Sequence, residues 1–159
     1  MALINPYLTF NGNCEEAFNF YRSVFGGEFQ QLARFKDMPP TEYQNIPDSL
    51  KEKIMHITLP ISKETVLMGN DANPVYGEVK IGQNLSLVIN AESKTEADRV
   101  FQKLSESGRV TMPLADTFWN SYFGMLKDKY HVLWMVSYDY PAKEQKSGQK
   151  ETTSEAFTH

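Results

Sequence analysis

His56, His131 and His159 are the three side chains of this 159-residue protein whose ordinary titration falls near neutral pH. His56 lies in Ile54–Ile61, where apolar residues alternate with polar ones. Side chains along a strand point to opposite faces in turn. Ile57, Leu59 and Ile61 therefore pack inward, and His56 and Thr58 fall on the other face. There the imidazole can act as base, ligand or hydrogen-bond donor, which makes His56 the best catalytic candidate. The plainer reading is a structural histidine bonded to a neighbouring strand. His131 opens the last strand beside a turn, and His159 is terminal. Cys14 sits in the first turn of a helix, where the dipole lowers thiol pKa values. No histidine or acid is placed by the sequence to activate it, so a buried structural thiol is expected. A single cysteine leaves neither a disulfide framework nor a cysteine-cluster metal site. Trp119, Tyr122, Phe123 and Trp134 gather around the last two strands. They can stack on a planar ligand while offering N–H or O–H groups; core packing is the alternative, favoured for Phe123. Gly26-Gly27 is read as a helix stop, because no glycine-rich phosphate loop pattern is present.

The elements that must position these residues repeat. Asn13 to Phe25 carries Ala17, Phe18, Tyr21, Val24 and Phe25 at helical spacing, with Asn13 and Glu16 as cap residues. Thr95 to Ser107 repeats the pattern with Ala97, Val100, Phe101 and Leu104, a Ser93/Glu96 capping box and Gly108 as stop. Glu16-Ala17 matches Glu96-Ala97, Tyr21 matches Phe101 and Val24 matches Leu104 at one constant offset. Strands are expected at Tyr7–Asn11, Phe29–Lys36, Ile54–Ile61 and Thr65–Gly69, and again at Leu85–Asn90, Val110–Ala115, Tyr122–Lys127 and Val132–Tyr138. The chain thus reads as α+β: residues 1–141 form one domain of two βαβββ modules, about 1–71 and 84–141, joined by a linker at 72–83. Residues 37–53 form a Pro-rich insertion with one helical turn near Asp48–Glu52, and 142–159 a flexible polar tail. Alternation puts Tyr7, Thr9, His56, Thr58, Ser86 and Val88 on the second face of their strands. That face carries too little charge for one fully open to water. It suits a concave surface that holds a small molecule, the ordinary solvent-facing sheet being the alternative.

Composition bounds the partners. With 16 Lys and Arg against 20 Asp and Glu, the net charge of −4 argues against binding nucleic acid through its phosphates. No run of eighteen apolar residues offers a membrane span, and the first residues do not read as a signal peptide, so a cytoplasmic protein is expected. Aromatic residues make up 13% of the chain, more than a minimal core needs.

Several short motifs occur in a telling order: Tyr7-Leu8-Thr9-Phe10-Asn11-Gly12 before Glu16-Ala17 and Phe20-Tyr21, then Phe25-Gly26-Gly27, Met55-His56, Leu67-Met68 with Asp71, and Trp119, Tyr122-Phe123-Gly124, Asp128, His131 and Leu133-Trp134. With the paired βαβββ pattern, this resembles the vicinal-oxygen-chelate superfamily of glyoxalases, bleomycin-resistance proteins and dioxygenases, and within it the PhnB-like branch. The resemblance implies curled mixed sheets around a cavity, a homodimer, and a small-molecule ligand. It places the metal ligands of metal-using members within Tyr7–Phe10, Leu67–Asp71, Leu85–Val88 and Leu133–Val136. Here those stretches offer Thr9, Asn70, Asp71, Ser86 and Trp134, with no histidine or glutamate, so no conventional metal site and no cofactor is assigned. The expectation is a small-molecule-binding protein whose cavity is lined by Tyr7, Thr9, His56, Thr58, Ser86, Trp119, Tyr122 and Trp134. One alternative is a divalent-metal-dependent lyase or isomerase using His56 and Asp71 with residues of a dimer partner. Another is a drug-sequestering resistance protein, which calls for an acidic groove. The methyltransferase label sometimes given to this branch is not carried over, since no nucleotide loop follows a strand.

Overall fold

The computed structural model describes residues 1–39 and 46–142. The chain divides into two compact units, one ending at Leu85 and one beginning at Ser86. The first holds β1 (Tyr7–Phe10), α1 (Cys14–Phe25), β2 (Gln31–Arg34), β3 (Ile54–Pro60) and β4 (Val66–Asp71). The second holds β5 (Leu87–Asn90), α2 (Lys94–Ser105), β6 (Arg109–Asp116), β7 (Ser121–Lys127) and β8 (Leu133–Asp139). Each unit is one four-stranded mixed sheet, ordered β1-β4-β3-β2 and β5-β8-β7-β6. In both, the first strand pairs in parallel with the last and the other pairs are antiparallel. This is the α+β, paired βαβββ fold expected from the sequence. The sheets are open, with β1, β2, β5 and β6 at their edges.

Each sheet packs one face on its helix. In the first unit Phe18, Tyr21, Ile57, Leu59 and Leu67 are fully buried there. Removing each such side chain from water stabilises the fold by about 1.5–3 kcal/mol. The register fixes which residues share this face: Leu8 pairs with Gly69, and Gly69 with Ile57. A Cβ on Gly69 would lie 2.7 Å from the Leu8 carbonyl and 2.7 Å from the Phe18 ring, so glycine is what lets α1 settle on β4. In the second unit a Cβ on Gly124 would meet the Phe101 ring at 2.8 Å. Gly124 pairs with Val136 and Leu126 with Trp134, so these four share the face that carries α2.

Local details depart from the sequence reading where a tertiary partner replaced a local one. Asn13 makes no side-chain cap; a carboxylate from β4 takes that role, as described below. Ser93 does cap α2, accepting from the Glu96 amide at 3.0 Å. Ser107, not Gly108, takes the left-handed position after α2, with φ of 56°. Gly108 is needed for another reason: a Cβ there would stand 2.4 Å from the Lys127 carbonyl. β2 is shorter than Phe29–Lys36, because a bulge at Ala33/Arg34 leads into a 3-10 turn at Phe35–Asp37. The helical turn in the insertion is a 3-10 turn at Asp48–Leu50. Residues 40–45 of the insertion and 143–159 of the tail lie outside the described residues. The stretch after β4 is stapled to the end of β1: the Asn11 side-chain amide donates to the Val79 carbonyl and its oxygen accepts from the Val79 amide, both at 2.9 Å. Among the described residues no helix is long and apolar enough to cross a membrane.

Replacing Gly69 by alanine must push a methyl group into the Leu8 backbone, which cannot move away as a flexible side chain would. Gly69→Ala is expected to destabilise the protein by about 1–3 kcal/mol in urea unfolding followed by circular dichroism.

Candidate functional site

The face of the first sheet turned away from α1 gathers the polar residues. Across it, Tyr7 of β1 pairs with Met68 of β4, Met68 with Thr58 of β3, and Thr58 with Gln31 of β2. The adjacent row holds Thr9 paired with Asn70, and His56 paired with Ala33. These eight positions include no Asp, Glu, Lys or Arg. The charges that follow them in sequence point to the other side: Arg34 ion-pairs with Glu15 of α1, and Asp71 is buried under the helix.

At the centre of this face the His56 imidazole is held at both nitrogens. Tyr7 Oη lies 3.2 Å from Nδ1, and Thr58 Oγ1 lies 2.9 Å from Nε2. A hydroxyl can donate or accept, so either neutral tautomer satisfies both contacts and the relay can run in either direction. Burial raises the Tyr7 phenol above its ordinary value, and the nearby Cys14 sulfur adds to the shift. The phenol therefore stays protonated at neutral pH. Tyr7 is 45% exposed and Thr58 only 6%, so the relay runs from an accessible end to a covered one. Beside it, Asn70 Oδ1 is shut off from solvent and has no hydrogen-bond donor among the described residues. Folded proteins pair nearly all such buried acceptors, and leaving one unpaired costs about 1–3 kcal/mol.

Asp71, the one carboxylate in the stretches that the resemblance marks for metal ligands, is on the opposite face and fully engaged. Its Oδ1 accepts from the Gly12 and Cys14 amides at 3.0 Å each, and its Oδ2 from the Ile54 amide at 2.9 Å. His56 and Asp71 therefore face opposite sides of the sheet and cannot hold a common ion. Thr9 and Asn70 bring only neutral oxygens, and among the described residues no three His, Cys, Asp or Glu side chains come together. This donor set does not fit a divalent ion. Cys14 is buried behind Asp71. Burial, then the Asp71 and Glu15 carboxylates, push its thiol far up, away from the thiolate that reactivity needs.

The second unit divides the remaining expected residues. Ser86 directly precedes β5 and is half-buried; Trp119 lies between β6 and β7, 51% exposed and edge-on to Phe118. Tyr122 and Trp134 do not belong to a face turned away from the helix. Trp134 is 4% exposed, shares the helix-covered face with Leu126, and donates its indole N–H to Asp128 Oδ2 at 2.8 Å. Tyr122, on the same face and beneath the Lys94 ammonium, donates to Asp98 of α2 at 2.5 Å; that bond, then burial and the Asp98 and Asp116 charges, push its phenol up to about 12. Their ring chemistry suggests cavity walls, but strand parity turns both toward the helix. Asp128 accepts from the Tyr130 and Val132 amides as well, closing the turn in which His131 takes a left-handed φ of 70° and is exposed. His131 is thus a turn residue. The far face of this sheet carries a row of Val88, Met135, Met125 and Met112, each paired with the next; the sequence reading places only Val88 there and misses the three methionines. Met68 and Asn70 were likewise not assigned to a cavity; the alternation Val66–Asp71 contained the signal, but only the parallel β1–β4 register aligns it with Tyr7 and Thr9.

A polar cleft of about 240 Å³ opens on the other side of the first unit, where Gly12, Asn13 and Glu15 start α1. Its charges hold one another: Arg34 pairs with Glu15, Lys53 donates to the Gly12 carbonyl at 2.8 Å, and Glu52 pairs with Lys36 at 2.9 Å. It is scaffold.

The fold built from these two units is that of the glyoxalase/bleomycin-resistance/dioxygenase superfamily. A member from Burkholderia phytofirmans PsJN superimposes with a TM-score of 0.56 at 15% identity, over 84% of this chain and 97% of the other. Within that fold the chain belongs to the PhnB-like family described as 3-demethylubiquinone-9 3-methyltransferase, whose model matches residues 2–137. Protein PA1353 from Pseudomonas aeruginosa is 40% identical with a TM-score of 0.77, covering 87% of this chain and 98% of that one. The PhnB protein from Bacillus cereus is 30% identical with a TM-score of 0.67, covering 85% and 98%. Protein YjdN of Escherichia coli K12 is 30% identical over 140 residues, 84% of this chain and 93% of its own length.

Two outcomes follow from the site's supports. Asp71→Asn turns one of two accepting oxygens into a donor facing backbone N–H groups. It is expected to lower stability by about 2–4 kcal/mol in denaturant titration, while Asp71→Glu loses less. In a spectrophotometric tyrosine titration, one phenol is expected to ionise late, near pH 12, and Tyr122→Phe is expected to remove it. The sign is that of a raised pKa. The Tyr122–Asp98 bond contributes fully below pH 10 and is lost as pH rises through about 12.

Proposed function

We propose that this protein binds a small organic molecule on the far face of its first sheet, over Tyr7, His56 and Thr58, with His56 placed to exchange a proton with it through the Tyr7 hydroxyl. One observation carries the reading: a histidine held between two hydroxyls, one of them on an exposed tyrosine, on a sheet face without ionised side chains. A purely structural histidine needs no reversible relay ending at an exposed phenol. A small group of uncharged polar side chains, accessible at one end, suits the binding of a small organic molecule. No step is routed through a metal, because the donors on this face do not suit one. Drug sequestration finds no support here either, since a cationic drug calls for carboxylates and this face has none. The methyl transfer in the family's description is not carried to this chain, whose positive-φ glycines, Gly12, Gly26, Gly27 and Gly77, lie in turns and helix stops.

The test is a fragment library screened by proton–carbon NMR against the full chain with labelled histidine and methionine. Binding fragments are expected to shift the His56 ring and the Met68 methyl together. His56→Ala is expected to weaken the same fragments by about tenfold, the loss of one or two hydrogen bonds. A library that leaves both signals unmoved defeats the proposal.

A further inference from the structure

We propose that Asn11-Gly12 is a self-modification site: a latch that holds the stretch after β4 on the end of β1 while Asn11 is an amide, and releases it once that amide becomes an acid. The pair occurs once in the sequence. In such a pair no side chain shields the glycine nitrogen. That nitrogen loses its proton and bonds to the asparagine carboxamide carbon; the C–NH2 bond breaks, ammonia leaves and a cyclic imide forms. Water then breaks one of the two ring C–N bonds. The products are aspartate, or isoaspartate, in which the main chain runs through the side-chain carbon. The fold asks for both residues on separate grounds. Gly12 takes a φ of 104°, which other residues rarely adopt. Asn11 accepts from the Val79 amide and donates to the Val79 carbonyl, at 2.9 Å each. An amide does both from separate atoms, whereas a carboxylate only accepts.

In the folded chain both reacting groups are engaged elsewhere. The Gly12 N–H donates to Asp71 Oδ1 at 3.0 Å, and a carboxylate there disfavours the amide anion that ring closure needs. The Asn11 carboxamide is turned to Val79. The reaction therefore requires a local opening that frees both, and Asn11 itself is exposed to the water that completes it. Either product undoes what delayed it. A carboxylate in place of Asn11 has no hydrogen to give the Val79 carbonyl. Isoaspartate lengthens the main chain by one carbon just before α1, which draws the Gly12 and Cys14 amides off Asp71. The latch is one-way: the fold slows the reaction, and the product loosens the part of the fold that slowed it.

The full chain is aged at neutral pH, folded or in urea, and mapped by peptide mass spectrometry with enzymatic methylation of isoaspartate. Asn11 is expected to convert at least about tenfold more slowly in the folded chain, where only the locally open fraction reacts. Asn11→Asp is expected to speed hydrogen exchange at the Val79 amide and tryptic cleavage after Lys80, each by about tenfold, the cost of a lost hydrogen bond and an unmet carbonyl. Asn19→Asp, the same change of charge on the exposed side of α1, is expected to leave both at native rates. The aged chain that has lost the amide, separated from the unmodified chain by ion exchange, is expected to show both accelerations without any substitution. Equal conversion in the folded and unfolded chain, or none in either, overturns the site. Native rates of exchange and cleavage in Asn11→Asp or in the separated aged chain overturn the latch, as does equal acceleration in Asn19→Asp.

Discussion

Three backbone amides converge on the buried carboxylate of Asp71, and the first unit is organised around that convergence. Gly12 and Cys14 belong to the start of α1, Ile54 to the start of β3, and Asp71 itself ends β4. One side chain therefore ties a helix and two strands at the same point, and supplies the cap that Asn13 does not. Charge-assisted bonds from several amides to one carboxylate are strong, and burial strengthens them further. The second unit uses the same device elsewhere. Asp128 accepts from two amides of the β7–β8 turn and from the Trp134 indole, so a buried aspartate again fixes the geometry of a strand pair.

The consequence for the site is a sorting of chemistry by strand parity. Along β4, Asp71 turns toward the helix and Asn70 away from it. On β2, Arg34 reaches Glu15 of α1 while Ala33 stays beside His56. Ionised groups serve the scaffold, and uncharged polar groups are left on the far face. The paired glycine and aromatic contacts, Gly69 under Phe18 and Gly124 under Phe101, hold each helix close enough for that division to be kept.

The fold was legible in the sequence because its signals are local and were written twice. Helical periodicity, strand alternation and turn residues placed all eight strands and both helices within a few positions. The candidate site was legible in part. Tyr7, Thr9, His56 and Thr58 share a face because alternation within one strand needs no tertiary information. Asn70 needed the parallel register of β1 on β4, which no local pattern contains. Tyr122 and Trp134 misled for the opposite reason: their ring chemistry suggested a ligand, but strand parity and two aspartates assign them to the helix side. The caps followed the same rule. Ser93 caps α2 from within its own segment, as its spacing implied, whereas α1 takes its cap from 57 residues away.

The row of Val88, Met135, Met125 and Met112 gives the two halves different characters. Thioether side chains are unbranched, polarisable and able to refill a changed space by rotating about soft bonds. A surface of that kind conforms to a shape, whereas the His56 ring of the first unit is fixed between two hydroxyls. One sequence pattern written twice has thus produced one face fixed by hydrogen bonds and another of soft apolar side chains.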